Sequence, residues 1–187
     1  MNRPAPGKAL AALSLALALL APCAYTASAS DAPPSALAQQ AQGLERRGAG
    51  TMRFLGLRIY DAVLWSAAPR GAPVDFSRPL ALQLRYARSL KGAAIAERSV
   101  QEMEKVGAGT PEQRARWGEA MRALFPDVED GTTLAGLHLP GRGARFFLNG
   151  QPLGEVADAA FSQAFFSIWL DARTSAPDLR TALLGAP

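Results

Sequence analysis

The sequence predicts an α+β fold, an antiparallel β-sheet with helices packed on one face. Three observations carry this expectation. Along the chain the elements run strands, two helices, strands, two helices, which segregates the two types. Residues 80–87 (LALQLRYA) alternate Leu80, Leu82, Leu84 and Tyr86 with Ala81, Gln83 and Arg85, the pattern of a half-buried strand. Asn149-Gly150 separates two short extended runs and is a preferred pair for a two-residue hairpin turn. A sheet covered in this way leaves its other face for water or a ligand.

The elements follow in order. Residues 30–42 (SDAPPSALAQQAQ) are small, polar and proline-containing, and read as a loose lead-in. Leu44 to Arg47 reads as extended, Gly48-Ala49-Gly50 as a turn, and RFLGLRIYDAVLW (residues 53–65) as a strand that is largely apolar on both faces. Ala67 to Pro79 is rich in Pro, Gly and Ala and reads as a connection. Ser89 to Val106 places Ile95, Ser99, Met103 and Val106 on one side, with Glu97, Arg98, Gln101, Glu102, Glu104 and Lys105 filling the rest, an amphipathic helix. Thr110-Pro111-Glu112-Gln113 starts a second helix with an N-cap, a proline in the first turn and a capping box, and Pro126 stops it. Strands are expected at 132–139, 144–148 and 151–156. Asp158 caps a helix striped by Phe161, Phe165, Ile168 and Trp169, and a short helix carrying Leu179, Leu183 and Leu184 ends at Gly185.

Ahead of these elements, Arg3 and Lys8 precede a 13-residue Ala/Leu run from Ala9 to Ala21, and Ala27-Ser28-Ala29 supplies small residues for cleavage. This combination predicts a secretory signal peptide over residues 1–29, cut after Ala29, and a periplasmic or secreted protein. The run is shorter than the roughly 20 apolar residues that span a bilayer, so no transmembrane segment is expected in the mature chain. Cys23 follows Pro22, which suits a lipoprotein anchor poorly. Cleavage leaves 158 of the 187 residues and removes the single cysteine. It also takes Arg3 and Lys8 from the 20 Lys+Arg, leaving 18 against 16 Asp+Glu, a balance of +2. The arginines are scattered, so nucleic acid is not an expected partner.

Most cofactor and catalytic chemistry lacks its residues. The one histidine, His138, and the missing mature cysteine argue against zinc or iron. Residues 127–131 (DVEDG) look like a calcium loop, but their glycine comes one position early and no glutamate stands at the twelfth. No G-x-S-x-G, Walker loop or dinucleotide fingerprint is present, and a catalytic triad would have to use His138. No cofactor and no metal are expected. Gly141-Arg142-Gly143 offers an anion site or, more simply, a surface hairpin. Phe161, Phe165, Phe166 and Trp169 read as core, with the alternative that some line an apolar pocket. Arg58 and Tyr60 share one strand face beside Gly56, and a guanidinium with a nearby phenol makes a carboxylate receptor. Asp61, on the opposite, apolar face, needs a partner such as a strand-end amide or an arginine.

Taken together, the chain from Gly43 to Gly185 resembles the chalcone isomerase-like family, in particular its exported bacterial branch. The resemblance is carried by the glycine turn followed by RFLGLRIYDAVLW, then LQLRYARSLKGAAIAERSVQEM, a W-x-x-x-M helix ending in LFPDVEDGTTL, the F-L-N-G hairpin and FFSIWLDARTSAPDLRTALLG. It implies an open-faced sandwich with a ligand cleft between sheet and helices, occupying residues 43–187. The plant isomerases use an Arg, a Thr, a Tyr, an Asn and a late Ser/Thr. Here the Arg falls at Gln42, the Thr at Leu55, the Asn near Arg98 and the late hydroxyl near Ala176. The Tyr falls at Lys91, with Tyr86 serving if the alignment slips. Losing the guanidinium and hydroxyl removes donors that would stabilise developing negative charge, so chalcone isomerisation is not expected. The resemblance implies an exported, non-catalytic protein that binds a fatty acid or similar small apolar carboxylate, with Arg58, Tyr60, Tyr86 and Arg98 as candidate ligand-binding residues. The alternatives are an isomerase or lyase-type enzyme using the same cleft, or a partner protein in envelope or lipid metabolism.

Overall fold

The structure is a computed structural model and describes residues 35–185, together with Met1. The expected signal peptide, Met1 aside, lies outside these residues. Among them, six strands form one antiparallel sheet in chain order: β1 (Glu45–Phe54), β2 (Leu57–Ser66), β3 (Leu80–Tyr86), β4 (Thr133–Leu139), β5 (Gly143–Leu148) and β6 (Gln151–Val156). Helices α2 (Gly92–Lys105), α3 (Pro111–Leu124), α4 (Ala159–Leu170) and α5 (Pro177–Leu184) make the second layer. In that layer α4 packs on β4 and β5, α5 packs on β1 and β2, and α2 packs on α3 and α4. This is the α+β architecture expected from the order of elements.

Period-two alternation sorts the strand residues between two cores. Ala62, Leu64, Leu82, Leu84, Tyr86, Leu134 and Phe146 point into the main core beneath the helices. Their neighbours Trp65, Ala81, Ala135, Leu137 and Phe147 build a smaller core on the other face. That second core is completed by α1 (Ser35–Gln40), whose Leu37 is fully buried. Residues 35–40, expected as part of a loose lead-in, are therefore helical, and the second sheet face is partly covered instead of being left to water.

The largest departure from expectation concerns RFLGLRIYDAVLW. It is the end of one strand and the start of the next. β1 runs straight through Gly48-Ala49-Gly50, and the chain reverses at Leu55-Gly56, where φ is 50° and 80°. The glycines serve packing. A Cβ on Gly48 would stand 2.1 Å from the Ala182 carbonyl oxygen, and one on Gly50 would stand 2.8 Å from Leu179 Cδ1. Bare backbone at these positions lets α5 lie directly on β1.

Helix ends follow their local chemistry. Thr110 and Gln113 form the capping box of α3, and Asp158 accepts from the backbone N–H groups of Ala160 and Phe161 at the start of α4. Asp158 also accepts from Trp117 Nε1 at 2.8 Å, tying α3 to the start of α4. α4 is buried nearly all round, with Phe161, Phe165, Phe166 and Trp169 in the core as expected.

Candidate functional site

The sheet and helices do not close completely. Between β1–β4 on one side and α2, α4 and the segment after α4 on the other lies a chamber of about 300 Å³. Its walls are overwhelmingly apolar, supplied by Met52, Phe54, Leu84, Leu90, Ile95, Phe125, Leu134, Phe165 and Ile168. Tyr60 of β2 and Leu84 and Tyr86 of β3 belong to its floor, and Ile59, beside Tyr60 in β2, also lines it, whereas Asp61 does not.

The tyrosines are direct cross-strand partners, their rings edge-on at 5.8 Å. Trp169 Nε1 donates to Tyr60 Oη at 2.9 Å. Indole nitrogen is a donor only, so the phenolic hydrogen of Tyr60 remains available to a ligand oxygen. Burial pushes Tyr60 up to about 12, and it stays a neutral phenol at physiological pH. Burial raises Tyr86 as well, and Tyr60 beside it adds to the effect.

The polar end is built by α2 and the segment before α5. Arg98 and Glu102, one helical turn apart, form an ion pair. Glu102 is buried, and Ser175 Oγ donates to its Oε2 at 2.6 Å. Arg98 remains more than half exposed at the chamber's edge. One guanidinium has five N–H donors, so pairing with Glu102 leaves others for a second acceptor. Arg98 and Glu102 line the same chamber as Tyr60.

Of the four residues expected to bind a ligand, the structure brings three together: Tyr60, Tyr86 and Arg98 line the chamber. Arg58 stands apart. It is half-exposed near the hairpin turn, and its Nε donates to Asp61 at 3.1 Å. Asp61 thereby finds the arginine it needs, and Thr51 Oγ1 donates to it at 2.7 Å. The bond from Arg58 is the main cause holding the Asp61 carboxyl below its usual range. Arg58 alternates with Tyr60 along the strand, but Asp61 holds its side chain and it does not line the chamber.

The positions matched to the plant isomerases divide similarly. Tyr86, Arg98 and Ala176 line the chamber, whereas Leu55 is at the exposed turn and Lys91 pairs with Asp127 at 2.7 Å on the surface. Glu102, Ser175 and the indole N–H of Trp169 escaped the sequence reading. The only signal for Glu102 was its i,i+4 spacing from Arg98, which equally describes a solvated helix face. His138 and Ser162 contact each other at 2.6 Å, both fully buried and outside the chamber lining, so this pair is a core contact. Among the described residues no group of three metal-ligating side chains occurs, and no helix is long and apolar enough to cross a membrane.

Comparisons with known proteins agree with this geometry. A family model described as chalcone isomerase-like matches residues 28–185. An uncharacterized protein of Haemophilus influenzae is 34% identical over 127 residues, which cover 68% of this chain and 61% of that protein. The match thus spans about three fifths of that relative's length. Among solved structures, a fatty-acid binding protein of Arabidopsis thaliana shares the fold with a TM-score of 0.57 and 12% identity, over 77% of this chain and 88% of that one.

Proposed function

The chain belongs to the chalcone isomerase-like family, and from that premise we propose that it is an exported, non-catalytic binding protein for a fatty acid or similar small apolar carboxylate. The observation that carries this reading is the chamber itself, an apolar space of about 300 Å³ whose lining includes the Tyr60 phenol and Arg98. That volume is at the lower end for small-molecule sites. The acyl chain lies among Leu84, Ile95, Phe165 and Ile168. The carboxylate meets Arg98, whose spare N–H groups give charge-assisted hydrogen bonds, and the Tyr60 hydroxyl donates a further one. The Arabidopsis protein of similar fold is a fatty-acid binding protein, which supports the ligand class. The sequence of residues 1–29 supports export.

Native mass spectrometry of the protein purified from its own cells, with calorimetric titration of a medium-chain fatty acid, tests the reading. A co-purifying acyl ligand and a chain starting at Ser30 are expected. Arg98→Ala should weaken binding roughly ten- to a hundredfold, the worth of a hydrogen bond to a charged group. Arg58→Ala should leave affinity unchanged. Folded protein with no affinity for any fatty acid would overturn the binding reading. The buried Glu102, which lines the same chamber as Tyr60, favours the enzymatic alternative, an isomerase or lyase-type activity, and product formation from a bound ligand would establish it.

A further inference from the structure

The β1–β2 hairpin ends in a tip that the fold leaves uncovered. Leu55 is 86% exposed, Phe54 56% and Leu57 54%, and among the described residues beyond Met1 these are the exposed large hydrophobic side chains. Single exposed leucines are ordinary, but a contiguous apolar patch marks a contact surface.

Turn geometry does not account for it. Leu55-Gly56, with φ of 50° and 80°, repeats the backbone of Asn149-Gly150, with φ of 48° and 80°. Asparagine tolerates positive φ, whereas leucine at such a position is strained. One hairpin therefore carries the residue its turn favours. The other carries a leucine that is costly in backbone energy and in exposed apolar surface.

Charge surrounds the tip. Arg53 and Arg58 face each other in register across β1 and β2, a like-charge pair that destabilises a bare hairpin. Asp61 offsets Arg58. Among the described residues Arg53 reaches only the Gly56 carbonyl oxygen, at 3.4 Å. An anionic surface would pair with the Arg53 guanidinium and with the Nη1 of Arg58 that Asp61 leaves over. The apolar tip is also continuous with the chamber, because Phe54 belongs to both and Met52 follows it inward.

We propose that this hairpin tip docks on an anionic lipid bilayer. Phe54, Leu55 and Leu57 enter the head-group boundary and Arg53 and Arg58 meet the lipid phosphates, which brings the Phe54 rim of the chamber to the membrane. The inference rests on the tip and stands whatever the chamber holds.

Co-sedimentation of the chain starting at Ser30, which lacks the apolar run Ala9–Ala21, with phosphatidylcholine vesicles, with and without phosphatidylglycerol, tests it. Binding is expected to require phosphatidylglycerol, to weaken with salt, and to fall about tenfold or more in Leu55→Asn, which withdraws one inserted leucine. Asparagine suits the turn, so the variant should melt no lower than the parent and bind fatty acid as before. Failure of the parent to sediment with vesicles would overturn the proposal. Equal sedimentation of Leu55→Asn would also overturn it, by assigning the contact to another part of the chain. A dimer abolished by Leu55→Asn, without vesicle binding, would replace the membrane with a second copy of the chain.

Discussion

His138 shows how one residue can look like chemistry and be structure. Its Nε2 lies 2.9 Å from the Phe76 carbonyl oxygen, which can only accept, so Nε2 carries the proton and Nδ1 accepts from the Ser162 hydroxyl at 2.6 Å. The ring sits edge-on to Phe76 and Phe166. In this neutral form both nitrogens are satisfied, and burial, which disfavours the charged ring, holds its pKa below the ordinary value of 6.5. The unfolded chain therefore binds a proton that the folded chain refuses. Stability should be constant above the unfolded value, fall as pH drops through it, and level off below the folded value. Urea unfolding across the range from about pH 8 to about pH 5 reads this. Since this is the only histidine in the sequence and unperturbed carboxylates titrate lower, His138→Gln should flatten the decline in that window. A decline of the same size in the variant would assign the effect elsewhere. Tyr60, by contrast, is singled out by its place beside Arg58 on one strand face and Tyr86 by the resemblance, and their cross-strand pairing, which no local pattern shows, puts both on the chamber floor.

At the scale of elements, legibility followed local chemistry. The start of α3, the cap of α4, the Asn149-Gly150 hairpin and the stop of α5 at Gly185 all stand where their sequence signals put them. β1 and β2 were misread for two physical reasons. Leu55-Gly56 hides a turn inside an apolar run, and Gly48-Ala49-Gly50 imitates one inside a strand. No local rule separates a glycine needed for a bend from one needed for a close approach by a distant helix. Arg47 completes that approach, its Nε donating to Leu184 O at 3.3 Å, at the C-terminal end of α5 where carbonyls lack helical partners. A graded prediction follows from what each glycine meets. Gly48→Ala drives a methyl into the backbone of Ala182 and Leu183, and should cost about 3 kcal/mol as α5 is displaced. Gly50→Ala meets Leu179 Cδ1 at 2.8 Å and Ala182 Cβ at 3.0 Å, side-chain atoms at longer range than the backbone that Gly48→Ala meets, so its cost should be smaller. Denaturant titration of the two variants compares them, and equal costs would remove the close-packing explanation.

At the scale of the molecule, the sheet separates two apolar layers with different tasks. The layer under α2, α4 and α5 is large, rich in aromatic rings and incompletely closed, and it holds the chamber. The layer under α1 is small: Leu37 and Ala41 against Trp65, Ala81, Ala135, Leu137 and Phe147. An antiparallel sheet can leave one face to water, but these residues expose too much apolar surface for that, and α1 shields part of it. The composition of residues 30–42 concealed this role because a six-residue helix bearing one leucine has almost no periodicity to detect. Leu37→Ala separates the two layers experimentally. Leu37 is fully buried, so its truncation should destabilise the fold by about 2–4 kcal/mol through lost burial and the cavity left behind. The chamber lies on the opposite sheet face, and fatty-acid affinity measured well below the unfolding transition should therefore not change. A variant as stable as the parent would return residues 35–40 to the loose lead-in that their composition suggests. A folded variant with weakened affinity would mean that the two faces are coupled through the sheet, with β2 and β3, which carry residues of both cores, as the path.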